Sequence, residues 1–165
     1  MRYSLTTALF CTLSLAADAR AQSAADSAQA IAAAIHVMVG TVPIEHPGGA
    51  TRQVCIEAQR LGASVPISMA VLSQVREAVV AAGTLSLTER CRRVDAETHG
   101  GWVMDAHGAP AMNVRIDRAQ LTGDRGEVRL TEQRGGRLGH SARCTVAKGA
   151  SGQWAVEACS TTSAS

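Results

Sequence analysis

The chain has 165 residues, a formal net charge of +2 and 46% hydrophobic residues. This suits one domain with its own core, and the thinly spread basic residues argue against a nucleic-acid or membrane-surface footprint. Only 2% of residues are aromatic, so the core must come from Val, Leu, Ile, Met and Ala.

Arg2 precedes an apolar run from Leu5 to Ala17, and Ala19-Arg20-Ala21 offers an A-x-A cleavage site. The pattern is that of a secretory signal peptide over residues 1–21, since the run is too short to cross a bilayer. Cys11 follows the bulky Phe10, which disfavours lipid anchoring. Residues 22–165 are then expected to form one α+β domain, periplasmic or secreted, with no membrane segment. Trp102 and Trp154 are its only aromatic residues.

The mature part opens with a predicted helix. Asp26 is the expected N-cap, and Ala28, Ile31, Ile35, Met38 and Val39 recur at the spacing of one buried stripe, with Gly40 at the end. His36 borders that stripe and is read as a boundary residue, since no second ligand lies one turn away. A loop over Pro43–Ala50 leads to a strand over Arg52–Gln59, with Val54 and Ile56 on one face and Cys55 on the other. Pro66 or Ser68 opens a second helix carrying Val71, Leu72, Val75, Ala78 and Val79, which Gly83 ends. Leu85 and Leu87 read as an apolar link to Cys91, and Trp102-Val103-Met104 as a short strand.

Residues 110–160 alternate at period two in four successive runs. Met112, Val114 and Ile116 come first, then Val128 and Leu130, then Ala142, Cys144 and Val146, and finally Trp154, Val156 and Ala158. Gly123-Asp124-Arg125-Gly126, Arg134-Gly135-Gly136 and Gly149-Ala150-Ser151-Gly152 separate them as turns. The expected product is an antiparallel meander with one apolar and one wet face.

Cys55, Cys91, Cys144 and Cys159 make an even set in an exported chain, which reads as two disulfides; no C-x2-C pair supports zinc. Three pairings are open. Cys55–Cys91 and Cys144–Cys159 are favoured, although Cys159 has the opposite parity to Trp154, so a direct pair with Cys144 needs a bulge or a Cys159 already past the strand's end.

No G-x-S-x-G elbow, phosphate-cradling loop, H-E-x-x-H or calcium loop occurs in the chain. Two groups of residues merit attention. Arg115, Arg129 and Arg143 share a parity on neighbouring strands and could make a basic stripe for an acidic ligand or partner; a solvated, balanced face fits the same residues. Glu97, His99, Asp105 and His107 could hold a divalent metal if the chain folds back at Gly100-Gly101, and equally fit a wet loop.

Gly152-Gln153-Trp154-Ala155-Val156, closing the meander, resembles the last strand of small exported NTF2-like or cystatin-like proteins. The resemblance implies helices packed on one face of a curved four- to six-stranded antiparallel sheet, here stapled by two disulfides. Such folds carry enzymes and non-enzymes alike, so it assigns no functional residue. The sequence as a whole favours a non-catalytic binding or interaction domain, without cofactor, for an unidentified protein or small-molecule partner. The alternative is a small metal-dependent or hydrolytic enzyme using the Glu97–His107 segment.

Overall fold

The computed structural model describes residues 24–40, 52–58, 67–82, 85–88, 91–93, 103–135 and 138–164. The signal-peptide reading, Trp102, Glu97 and His99 lie outside the described residues. The first helix, α1, covers residues 24–40. Every position of its expected stripe is buried, from Ala28 at 2% exposure to Ile31 and Ile35 at 0%. Asp26 falls inside the first turn rather than at the cap, where its negative charge complements the helix dipole.

The second helix, α2, runs Met69–Ala81. Ser68 caps it, its hydroxyl accepting the Val71 N–H at 3.2 Å, and Leu72, Val75 and Val79 form the buried face.

The described residues also form eight strands in two sheets. They are β1 (Arg52–Ala58), β2 (Leu85–Leu87), β3 (Cys91–Arg93), β4 (Val103–Asp105), β5 (Met112–Thr122), β6 (Arg125–Gly135), β7 (Leu138–Lys148) and β8 (Trp154–Ala164). The large sheet has the order β2-β1-β5-β6-β7-β8, and β3 pairs β4 separately. The meander β5–β8 is antiparallel as expected, but each strand reaches 11 residues, well beyond its apolar alternation.

The expectation of a purely antiparallel sheet is corrected at β1, which runs parallel to both β2 and β5. The cause is local. A helix follows β1, and its crossover returns the chain in the same direction as β2. Parallel strands are covered on both faces, and Val54, Cys55 and Ile56 are consecutively buried. Val54 and Ile56 join the helices in the core, while the Cys55–Cys91 disulfide ties the opposite face of β1 to β3. Leu85-Ser86-Leu87, expected as a link, is therefore a strand.

One core joins α1, α2 and the apolar side of the large sheet, including Val114, Ile116, Val128, Leu130, Cys144 and Trp154. At one end of it, Asp26 accepts hydrogen bonds from Lys148 Nζ at 2.8 Å and from Trp154 Nε1 at 3.1 Å. The chain's one lysine and its anchoring tryptophan are thus held to the start of α1.

Two tight places in the β5–β6 hairpin require glycine. Gly123, with φ +61°, occupies the first central position of a two-residue turn, as a II′ hairpin demands. A Cβ on Gly126 would strike the Gln120 carbonyl oxygen and the Leu121 side chain.

Candidate functional site

The polar face of the meander carries the densest organised charge among the described residues. Its layout follows from cross-strand register. Arg118 on β5 stands opposite Arg129 on β6, which stands opposite Arg143 on β7, which stands opposite Ser160 on β8. Adjacent strands lie about 4.8 Å apart, so three guanidinium-bearing positions fall within roughly 10 Å. Like charges directly opposed across strands are unfavourable unless something neutralises them.

One carboxylate does part of this. Glu127 accepts from Arg129 Nε and from Arg143 Nε, each at 2.7 Å. The hydrogen bond from Arg129, and then that from Arg143, hold its carboxyl below the usual range, so it stays ionised at neutral pH. Among the described residues Arg118 has no such partner, and its Nε is buried without an acceptor. The central row therefore sets three guanidinium groups against one carboxylate.

Alternation predicts Arg115 in this row, and the structure places it elsewhere. Register shifts between Ile116 and Arg118, leaving Asp117 as the extra residue of a bulge. Arg115 consequently faces Thr131, one row away, with Glu57 opposite it on β1. Asp117 accepts from Arg115 Nε at 2.7 Å and from the Thr131 hydroxyl at 2.6 Å. Arg118 takes the place in the row that Arg115 was expected to fill. Alternation alone could not find it, because the bulge reverses the parity of β5 midway.

Beyond Glu127 the same face ends in a depression lined by Thr122, Arg125, Ala147, Ala155 and Glu157. Arg125 and Glu157 pair across it at 3.2 Å. The face is rich in fixed hydrogen-bond donors and positive charge. Guanidinium groups remain charged and donate hydrogen bonds, but they do not exchange protons near neutral pH. Glu127, pinned as the anion, is a weak base.

The second candidate group is only partly described. Asp105 ends β4, 3% exposed, and its Oδ1 accepts the backbone N–H of His107 and of Ala109, each at 2.8 Å. These bonds, with Gly108 at φ +82°, close the turn that leads to β5. His107 is exposed on the same turn rather than on a strand. It lines a groove with Gln53, Ser86, Leu87, Thr88, Asp105 and Ala106. The structure thus brings Asp105 and His107 together as parts of a turn. No group of three or more His, Cys, Asp or Glu side chains poised for a metal occurs among the described residues.

Glu132 is a further charged residue that strand alternation places on the apolar side. It is 0% exposed and lies in the ladder between Val114 and His140, on the core-facing side. Its even number, shared with Val128 and Leu130, was the available signal.

No family model, curated protein or solved structure matches the chain.

Proposed function

We propose that this protein is an exported, non-catalytic binding domain that takes an acidic partner on the polar face of its β5–β8 meander. The observation that carries the reading is the central row, where Arg118, Arg129 and Arg143 lie in register and Glu127 pairs with Arg129 and Arg143 but not with Arg118 among the described residues. A carboxylate or phosphate arriving over this row would complete the neutralisation that Glu127 begins, through paired guanidinium hydrogen bonds. Export is consistent with the two disulfides, Cys55–Cys91 and Cys144–Cys159, which persist in oxidising compartments. Among the described residues no helix is long and apolar enough to cross a membrane.

The test is equilibrium binding of a fluorescent oligo-glutamate, with oligo-lysine as its counterpart. Oligo-glutamate should bind, more weakly as salt rises. Arg129→Ala with Arg143→Ala should weaken it at least tenfold. Equal binding of the two oligomers, or no effect of the double substitution, would refute the reading.

A further inference from the structure

We infer that the open edge of β8 docks an extended acidic peptide segment of a partner protein, which adds to the large sheet as a seventh strand. The inference rests on the proposed function for the sign of the partner's charge, and it specifies how that partner is held.

Among the described residues β8 is the last strand of the sheet, and it is 11 residues long. Natural edges of this length are usually guarded by lysine, proline or a bulge. Here the one charged residue, Glu157, sits at a bulge near the start of the strand and is held by Arg125. From Ala158 to Ala164 the strand is uncharged, contains no proline and keeps regular pairing with β7. Nothing in this stretch repels an incoming strand.

The register says which peptide groups would receive it. Cys144 and Cys159 are direct partners with Cα atoms 4.1 Å apart, the spacing of a non-hydrogen-bonded antiparallel pair. Residues of such pairs turn their N–H and C=O away from the neighbour strand. By alternation, Cys159, Thr161 and Ser163 present theirs to the open edge. The disulfide holds this edge on β7, so little ordering remains to be done on binding.

Side chains supply the selectivity. Beyond Glu157 and its ion pair with Arg125, the described side chains of β8 on the polar face are Ala158, Ser160 and Thr162, a low shelf between the edge and Arg143. Arg143 has 58% of its side chain exposed and gives Nε to Glu127, leaving its terminal nitrogens available among the described residues. A glutamate on the added strand opposite Ser160 would lie about 10 Å from Arg143, measured between backbones. Two long side chains extended over a serine can close that distance. Every second residue of an added strand points to this face, so an alternating acidic segment fits.

The experiment compares two blocked ten-residue fluorescent peptides of equal charge, one alternating Glu and Thr, the other Glu and Pro. The second cannot supply the alternate N–H groups that a strand needs. The Glu-Thr peptide should bind at least tenfold more tightly. N-methylating its alternate amides should abolish that advantage in one of the two registers of methylation. Thr161→Pro removes an edge-facing N–H and spares the β7–β8 ladder, so it should weaken Glu-Thr binding at least tenfold without affecting Glu-Pro. Equal binding of the two peptides would overturn strand addition and leave the acidic-partner reading intact. Binding of neither would overturn both.

Discussion

Cys144 and Cys159 stand directly opposite each other on β7 and β8, although Cys159 has the wrong parity for the face that Trp154 occupies. The pairing runs Cys144↔Cys159 and Thr145↔Ala158, then jumps to Val146↔Val156. Glu157 is the extra residue, and the bulge it makes returns Cys159 to the core side. Because Glu157 only restores parity, deleting it should give a regular strand with the same cysteine pair. A thiol assay on the unfolded, unreduced deletion variant should find Cys144 and Cys159 still bonded; two new free thiols would contradict this register.

The two disulfides should differ in weight. Cys144–Cys159 closes a sequence separation of 15 and Cys55–Cys91 one of 36. Loop-closure entropy assigns about 3 and about 4 kcal/mol respectively, if native strain is equal. Urea unfolding of the two Cys→Ser pairs should therefore show the larger loss for Cys55–Cys91. That bridge also fixes the small β3–β4 sheet against β1.

Trp154 combines burial with a polar tether, and the two contributions separate by substitution. It is 7% exposed and donates Nε1–H to Asp26 at 3.1 Å. Trp154→Ala should cost about 3 to 5 kcal/mol through lost packing. Trp154→Phe keeps most of the ring and loses the hydrogen bond, so about 1 kcal/mol of its effect should be absent in an Asp26→Ala background. A double-mutant cycle in urea measures the difference.

Stability should fall on acidification in two stages. Burial pushes the His36 imidazole down, only partly opposed by its hydrogen bond to the Val79 backbone. The hydrogen bond from Lys148, aided by that from Trp154, holds the Asp26 carboxyl below its ordinary range despite some burial. Both folded values are depressed, so both groups contribute stability above their unfolded pKa values, about 6.5 for His and 3.9 for Asp. Each contribution is lost as pH falls through the folded value. Urea midpoints followed down from pH 7 should decline first with His36 and then with Asp26. His36→Gln should flatten the first stage and Asp26→Asn the second. A midpoint unchanged between neutral pH and pH 3 would contradict both assignments.

Much of this architecture is legible in the residues, and the exceptions share a cause. The α1 and α2 stripes and the β5–β8 alternation are local periodicities enforced by burial, so they read directly. The favoured cysteine pairing follows from where those elements end. β2 does not read as a strand because Leu85-Ser86-Leu87 is too short to show a period. The parallel course of β1 depends on what covers both of its faces, which a run as brief as Val54-Cys55-Ile56 barely signals. Arg118 is displaced into the arginine row by the bulge at Asp117, a feature of pairing between strands rather than of either strand alone. Asp105 did carry a readable signal: an aspartate three residues before Gly108 suits a side-chain-closed turn, which is the role it has.

The most direct measurement of the central claim is a reversal of charge along the arginine row. Arg118→Glu, Arg129→Glu and Arg143→Glu together should convert a domain that binds fluorescent oligo-glutamate into one that binds oligo-lysine, with both disulfides and the far-ultraviolet circular dichroism retained. A folded triple variant that still prefers oligo-glutamate would contradict the assignment of this face as the acidic-partner site.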